Sequence, residues 1–327
     1  MNNIRMPHPV LAISALMVML TACGGGGLPT APSLASVPNA SRTLMPDSSG
    51  DLIYAIGGCY GTCVLSYPSG KLVGSLPVNG DAICSDSAGN VFITNSYVVT
   101  EYAHGAQTPT ATFTLPTGLV GGCAVDPKTN NLAVVALASA GDIAIFQNEQ
   151  GTPTYYSAII NPLYCGYDAD GNLFVNGNVQ FGYGFAELPN GSTKFSQLSI
   201  DQSVGIPGQV QWDGKYITYQ NQGSKVGTIS RLAVSGSTAT VVGTTSFMGM
   251  KHVPFASWIY DGKIVVPYIF RGKRANAIGV WKYPAGGKPQ KLIKHSGPYK
   301  KTKTDIQGVA ISVGPKSLDF AKGIRRL

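Results

Sequence analysis

Six cysteines are the residues of this sequence best able to do covalent chemistry, and their spacing separates them into three groups. Cys23 follows a short apolar run near the N-terminus. Cys59 and Cys63 lie in Gly-Gly-Cys-Tyr-Gly-Thr-Cys, a separation that a hairpin can close with a disulfide in an oxidising compartment. We therefore treat Cys59 and Cys63 as the candidate disulfide pair.

The other three cysteines share one position in a repeated pattern. Cys84, Cys123 and Cys165 each stand two or three residues before an aspartate. The favoured interpretation is that each packs as a small, polarisable side chain where strands converge. The alternative is a disulfide or a soft-metal site among them, which requires Cα atoms within about 7 Å of each other.

Acid–base and metal chemistry have few candidate side chains. The glutamates are Glu101, Glu149 and Glu187. The histidines beyond the N-terminal segment are His104, His252 and His295. No GxSxG, HExxH or phosphate-binding glycine loop brings such groups together. We therefore assign no catalytic, cofactor-binding or metal-binding residue from the sequence.

The N-terminal segment has the three parts of a secretory signal. Arg5 provides the positive start, and residues 10–20 form an apolar run too short to span a bilayer stably. Residues 20–23, Leu-Thr-Ala-Cys, resemble the lipobox of bacterial lipoproteins. The resemblance implies cleavage before Cys23 and lipid on its thiol. An ordinary signal peptide with a chance cysteine is the alternative.

Lipid on Cys23 implies a cell-envelope location. Two or three acyl chains anchor a protein firmly, whereas a single chain holds it marginally. Gly24 takes the position where an aspartate retains such lipoproteins at the inner membrane, so the resemblance favours the outer membrane. The following stretch to residue 50 is rich in Gly, Pro, Ser and Ala and predicts a flexible linker.

Composition favours strands and places the charge unevenly. The chain holds 41 glycines and 16 tyrosines with only 12% charged residues, which suits many turns and short strands. Residues 251–327 hold 16 Lys or Arg against three Asp, so this end is strongly basic. We expect an anionic envelope component or an envelope protein as a candidate partner; lysines that merely solubilise sheet edges are the alternative. No nucleic-acid-binding motif accompanies them.

A repeat of about 40 residues decides the fold class. Tight turns that open into a strand recur at Asp86, Asp126, Asp168, Asp213 and Asp261, in steps of 40, 42, 45 and 48 residues. Motifs such as Asp-Ser-Ala-Gly-Asn supply residues that tolerate positive φ, while the Asp side chain caps its own turn. The period is that of one four-stranded propeller blade.

The first blade lacks its inner strand. Residues 52–76 match the second, third and fourth strands of the pattern, and residues 307–313 supply the missing strand at the other end of the chain. The sequence thus predicts an all-β, six-bladed propeller closed by its C-terminal strand. We divide the chain into a signal peptide (1–22), the lipidated cysteine with its linker (23–50), the propeller (51–314) and a basic tail (315–327).

The repeat resembles the NHL and YVTN classes of propeller repeat, on Asp-Ala-Asp-Gly-Asn-Leu-Phe-Val and on strands such as Gly-Asp-Ile-Ala-Ile-Phe, over residues 51–313. The resemblance implies the architecture more than the activity, because this repeat family includes metal-dependent lactonases and lyases as well as binding modules. Such enzymes hold a divalent ion in the central channel with Glu, Asn, Asp or His.

A monomeric, non-enzymatic binding or interaction module without a cofactor is the favoured function, and a metal-dependent lactonase or lyase is the alternative. Glu101 and Glu187 fall on third strands and Glu149 in a turn, so none is expected to point into the channel. His252 is the histidine placed nearest a channel end, and a lone loop histidine is more often a surface residue. Aromatic residues near the channel mouths are Tyr60, Tyr97, Tyr164, Trp212 and Trp258. They are interpreted as caps of the core.

Overall fold

Short strands joined by tight turns make up the part of the chain that the structure, a computed structural model, describes. The described residues are 43–115, 120–136, 142–158, 160–203, 205–221, 227–250, 256–269, 275–294 and 306–315. The predicted signal peptide, Cys23, the linker as far as residue 42, His252, His295 and most of the basic tail lie outside them. Apart from one 3-10 turn, Gln147–Glu149, the regular structure in these ranges is β.

Four of the sheets have four strands each. The first contains β1 (Leu52–Ile56), β2 (Thr62–Ser66), β3 (Leu72–Leu76) and β24 (Gly308–Ser312) in the order β24-β1-β2-β3. The next two contain β4 (Ala82–Ser85), β5 (Val91–Asn95), β6 (Val98–Tyr102) and β7 (Ala111–Thr114), then β8 (Val120–Val125), β9 (Leu132–Ala136), β10 (Asp142–Phe146) and β11 (Thr154–Ser157). The last contains β20 (Trp258–Tyr260), β21 (Lys263–Ile269), β22 (Ala275–Lys282) and β23 (Gly286–Lys294).

The fifth sheet has eight strands. It contains β12 (Asn161–Tyr167), β13 (Leu173–Val179), β14 (Gly182–Leu188), β15 (Ser196–Ile200), β16 (Pro207–Trp212), β17 (Ile217–Asn221), β18 (Thr228–Ser235) and β19 (Thr238–Ser246). Each half is an antiparallel meander, and the halves meet in a short parallel pairing of Ser199 and Ile200 with Thr238 and Ala239. β12 and β16 are therefore the two edges of this sheet.

Two of the turns between first and second strands share one hydrogen-bond plan. In the turn after β4, Asp86 Oδ1 accepts from the amide of Asn90 at 2.7 Å, and Asp86 Oδ2 accepts from Asn90 Nδ2 at 2.7 Å. Asp168 and Asn172 repeat both bonds after β12, at 2.9 and 2.8 Å. The aspartates thus serve as turn formers, because each carboxylate satisfies the amides of its own turn.

Apolar side chains lie between neighbouring sheets. Every residue of β9 is buried, and successive residues face opposite sides of the strand. Val135 packs with Val175 of β13 on one side, and Val134 packs with Phe92 of β5 on the other. A strand with four or five apolar residues therefore contributes side chains to the core layers on both of its sides.

Polar side chains join neighbouring sheets, and the two halves of the eight-stranded sheet, close to their first strands. Thr94 of β5 donates to the carbonyl of Gly121 at 3.0 Å, and Asn176, at the same position of β13, donates to that of Gly208 at 2.8 Å. Between β16 and β20, Gln211 both donates to and accepts from the backbone of Ile259, at 3.0 and 2.8 Å. First strands contact one another in turn from β24 through β4, β8, β12 and β16, and β20 contacts β24. The strands therefore form a closed circle.

Strand β24 completes the first sheet, as the sequence pattern indicates. It pairs antiparallel with β1, with Ile311 opposite Ile53. His104 fastens this junction: its Nε2 donates to the carbonyl of Ser48 at 2.8 Å, and its Nδ1 lies 2.6 Å from Ser312 Oγ. Burial lowers the pKa of His104 below its ordinary value. The ring of His104 therefore joins the two ends of the described chain.

Residues 43–50, which the sequence pattern assigns to the linker, pack against the sheets. Met45 is buried, and its amide donates to the carbonyl of Gly105 at 2.8 Å. Lys71 pairs with Asp47 at 2.8 Å on the surface. Ordered packing therefore begins before the first strand.

Glycine allows neighbouring first strands to approach closely, and Gly166→Ala tests this. A Cβ on Gly166 of β12 would lie 2.6 Å from the carbonyl oxygen of Val210 on β16. Because backbone cannot move aside as a side chain can, we expect a loss of about 1–3 kcal/mol in the free energy of unfolding, measured by urea denaturation. Gly243→Ala is the control, since its Cβ would meet only Arg231 at 3.7 Å. Equal stability of the two variants would contradict the close approach.

Candidate functional site

A cavity of about 280 Å³ lies where the first strands converge. Its lining comes from β4, β8, β12, β16, β20 and β24 and from the turns that follow β4 and β8. The aromatic residues among the lining are Tyr167, Trp212, Trp258 and Tyr260. The cavity is thus built by the whole circle of strands, not by one sheet.

Trp258 fills the centre of the circle beside this cavity. Its partly buried side chain packs against three separate core layers, which include Val265, Cys123 and Ile83. No other described residue packs against three core layers. The indole therefore closes the middle of the circle and leaves the cavity at the end where the aspartate turns lie.

Two glutamines of β16, Gln209 and Gln211, are among the lining residues and differ in their hydrogen bonding. Gln211 uses both amide atoms on the backbone of Ile259. Gln209 is 5% exposed, and its Nε2 reaches only the carbonyl of Val210 at 3.4 Å. Within the described residues its Oε1 has no hydrogen-bond partner. An unpaired amide oxygen that is enclosed in the protein, as Gln209 Oε1 is, costs about 1–3 kcal/mol of stability.

The carboxyl group that lines the cavity is already hydrogen-bonded within its own turn. Asp86 lines the cavity, but its oxygens accept bonds from Ala88 and Asn90 of its own turn. Burial raises the pKa of Asp86, although these hydrogen bonds act in the opposite direction. No lysine, arginine or histidine is among the described lining residues. Among the described lining residues, the cavity therefore has no cationic side chain and one carboxyl group that its own turn engages.

A more polar recess of about 390 Å³ adjoins the cavity and shares Trp212 and Tyr260 with it. At its wall the buried carboxylate of Asp213 accepts from Arg231 Nε at 2.8 Å and from the Tyr283 hydroxyl at 2.7 Å. Burial alone would raise the pKa of Asp213, but the bonds from Tyr283, two turn amides and Arg231 outweigh it and lower the pKa. These hydrogen bonds join the eight-stranded sheet, which contains Arg231, to the sheet of β22, which Tyr283 follows.

The cysteines form two disulfides in the structure. Cys59 and Cys63 are bonded, with Cα atoms 5.1 Å apart. Cys84 of β4 and Cys123 of β8 are also bonded, with Cα atoms 5.7 Å apart and an S–S distance of 2.06 Å. The interpretation of all three strand cysteines as packing residues is therefore wrong for these two. Cys165 is a buried free thiol, and burial raises its pKa.

Other residues singled out from the sequence are dispersed. Tyr60 and Tyr97 are exposed at the surface, and Tyr164 packs against the core between β13 and β16, whereas Trp212 and Trp258 line the cavity. Glu101 lies on β6 and Glu187 on β14. Sequence reasoning missed Gln209, because a single amide in an apolar strand gives no motif; its two-residue spacing from Gln211 is the only signal.

The described residues contain no group of three or more His, Cys, Asp or Glu side chains placed to hold a metal ion. A search of the same residues finds no helix of the length and hydropathy needed to cross a membrane.

Glu149 gives the stability of the protein a pH dependence. Burial, and then the charges of Asp86 and Glu101, raise its pKa from 4.5 to about 7. Since the folded state holds this proton more tightly, stability is full below pH 4.5 and falls as the pH rises to 7. We expect Glu149→Gln to stabilise the protein by about 1 kcal/mol at pH 8, after allowance for exposure, and not at pH 4. Thermal melts at both pH values check this, and an equal effect at both would contradict it.

Solved structures share this architecture at low sequence identity. A chain in the crystal structure of a nidogen/laminin complex matches with a TM-score of 0.61 and 14% identity, over 81% of this chain and 99% of that one. A protein of unknown function from Bacteroides caccae matches with a TM-score of 0.59 and 10% identity, over 80% and 98%. No protein-family model and no curated protein matches the sequence. Likeness at these identities shows the fold alone, and it fits a propeller-like arrangement.

Proposed function

We propose that this protein is an exported lipoprotein, anchored to the cell envelope through lipid on Cys23, whose six-bladed propeller acts as a non-enzymatic binding module. The cavity carries the binding part of the proposal. Its lining is aromatic and amide-rich, and its carboxyl group is already used within a turn. A surface of this kind can hold a ligand.

The count of six blades is supported by the eight-stranded sheet. Its halves, β12–β15 and β16–β19, each repeat the antiparallel order of the other sheets. They are joined by only two parallel residue pairs near Ile200. Two blades that touch at their outer strands would produce this arrangement, and NHL- or YVTN-type turns at Asp86 and Asp168 agree with it.

The anchor is supported by the Leu-Thr-Ala-Cys motif and the apolar run before it. About 20 residues separate Cys23 from the first described residue, and they are rich in Gly, Pro, Ser and Ala. A flexible linker of that composition would tether the propeller close to a membrane. Gly24 favours the outer membrane as its location.

An anionic envelope component is supported as a partner by the outer strand β23. Lys288, Lys291 and Lys294 of this strand are exposed, and Lys282 of β22 is exposed beside them. None of the ion pairs in the described residues involves these four. Exposed lysines without an ion-pair partner attract anions, and those on the edge strand β23 also block edge pairing.

Labelling with a palmitate analogue, followed by membrane fractionation, tests the anchor. The full chain is expected to carry label and to sediment with membranes, whereas Cys23→Ala is expected to carry no label and to keep its signal peptide. Membrane-bound, processed Cys23→Ala would contradict lipid anchoring.

Affinity capture tests the binding module. The full chain, cross-linked in envelope membranes, is expected to retain a partner that a Trp212→Ala variant loses. Turnover of a lactone substrate by the purified chain, abolished by chelation, would instead support the lactonase or lyase alternative and overturn the non-enzymatic proposal.

A further inference from the structure

We infer that four exposed lysines at the edge of the last sheet bind the anionic phospholipid surface of the membrane in which the lipid on Cys23 is inserted. These residues, which we call the lysine edge, are Lys282, Lys288, Lys291 and Lys294. The inference rests on the proposed lipid anchor. It names the anionic component of the proposed function and the part of the propeller that contacts it.

The lysine edge carries positive charge that nothing in its own segment offsets. Residues 275–294, which form β22, β23 and the turn between them, contain these four lysines and no aspartate or glutamate. None of the four forms an ion pair with a described acidic residue. Because exposed lysines without an ion-pair partner keep their charge toward solvent, the local field at this edge is positive.

The residue types and their placement favour a charged surface over a single bound phosphate. All four cations are lysines, which act as point charges, whereas arginine supplies the fork that holds one phosphate with two hydrogen bonds. In the regular part of β23, Lys291 shares a face with buried Ile293, and Leu292 and Lys294 share the other face. The charges are therefore spread over both faces of an edge strand and do not converge on one point. Leu292 is 37% exposed, and an apolar side chain among lysines suits a bilayer interface.

The lysine edge lies beside the point where the linker reaches the propeller. Lys291 Nζ donates to the carbonyl of Ser69 at 2.8 Å, in the turn between β2 and β3 of the first sheet. Two residues further along, Lys71 pairs with Asp47 at 2.8 Å. Asp47 lies in the short segment at the start of the described chain. The part of the chain that leads back to Cys23 therefore begins next to these lysines.

The length of the linker lets the lysine edge reach the membrane surface. Thr43, the first described residue, lies 20 residues after Cys23, and a flexible chain of that length has an end-to-end distance of about 25 Å. Attraction to an anionic leaflet acts within about one Debye length of the surface. Each lysine that comes so close strengthens membrane binding about fivefold. A lipid anchor on this linker and a row of lysines beside its end therefore act on the same membrane.

Lysine acylation of the lipidated full chain in vesicles provides the test. The chain is reconstituted in vesicles of phosphatidylcholine alone, or of equal parts phosphatidylcholine and phosphatidylglycerol, and is treated with a water-soluble N-hydroxysuccinimide ester. Peptide mass spectrometry then gives the acylation rate of each lysine. We expect the lysine edge to react at least about fivefold more slowly in the anionic vesicles. In about 1 M salt this difference should vanish, because the Debye length falls to about 3 Å.

Lys194 is the internal control. It is exposed in the turn between β14 and β15, on a different sheet from the lysine edge. Its acylation rate should be the same in both kinds of vesicle. Equal protection of Lys194 and of the lysine edge would overturn the inference, because it would show that the whole propeller approaches the membrane without a preferred face.

Replacing Lys288 and Lys294 together by glutamine separates membrane binding from the protection of an edge strand against pairing. The double variant should keep the parental Tm, and Lys291 should lose its protection, since the loss of two charges weakens the attraction about 25-fold. Replacing Lys128 and Lys194 by glutamine removes the same charge elsewhere and should leave Lys291 protected. Equal acylation of Lys291 in the two kinds of vesicle, or protection that survives Lys288→Gln with Lys294→Gln, would overturn the inference.

The inference and the proposed anchor fail separately. A chain that floats with vesicles of phosphatidylcholine alone, and whose lysine edge reacts equally in both kinds of vesicle, would support the anchor and overturn the inference. A chain that floats only with the anionic vesicles, with its lysine edge protected, would overturn the anchor and support phospholipid binding by the lysines. Protection by lipopolysaccharide micelles without protection by phosphatidylglycerol would overturn the assignment to phospholipid.

Discussion

Replacing Cys84 and Cys123 together by alanine is expected to lower the free energy of unfolding by about 4 kcal/mol. The disulfide closes a loop of 39 residues, and the entropy that it removes from the unfolded chain grows with loop length. It also joins first strands of two sheets, so its loss frees two sheets to separate. Calorimetry should show a Tm lower by roughly 8 °C.

The second disulfide provides the control. Cys59 and Cys63 close a loop of only four residues, for which the same reasoning gives about 2 kcal/mol. Cys165→Ala leaves both disulfides in place and removes one buried thiol. If the double replacement at Cys84 and Cys123 cost no more than the one at Cys59 and Cys63, the bridge between sheets would not be a main source of stability.

Ending the chain at residue 305 is expected to abolish cooperative unfolding. The lost residues include Ile306, Val309 and Ile311, which are at most 4% exposed. Burial of three such side chains contributes about 5–9 kcal/mol, which is comparable to the whole stability of a domain. Strand β1 would also lose one of its two partner strands. Circular dichroism melts and limited proteolysis measure the effect.

A chain that ends at residue 315 is the matched control, since it keeps β24. A synthetic peptide of residues 306–315 should restore a cooperative melt to the shorter chain, because it can pair with β1 as an added strand. A cooperative melt of the shorter chain without the peptide would contradict a closing role for β24.

Sequence periodicity predicts the strands well because each repeat carries its own local signals. The turns at Asp86 and Asp168 combine an aspartate, a glycine and an asparagine at fixed offsets, and the strands after them begin with three apolar residues. The pairing of β24 with β1 also follows from the pattern, since the first repeat lacks one strand. Local patterns therefore specify the order of the strands.

Distances between neighbouring repeats cannot be read in the same way. The spacing of Cys84 and Cys123 places them at equivalent positions, but their Cα separation of 5.7 Å depends on how closely β4 approaches β8. The unpaired Gln209 is likewise a property of packing, because the gap between β16 and β20 is bridged by Gln211 alone among the described side chains of β16. The candidate site could therefore be identified only from the structure.

The pairing of β24 with β1 sets an order of events for the growing chain. The first three strands of their sheet are synthesised before residue 77, but the fourth begins only at Gly308. Until that segment is available, β1 exposes an unpaired edge and the circle stays open, a state that proteases can attack. The circle of strands can therefore close only after the segment that contains β24 has been synthesised.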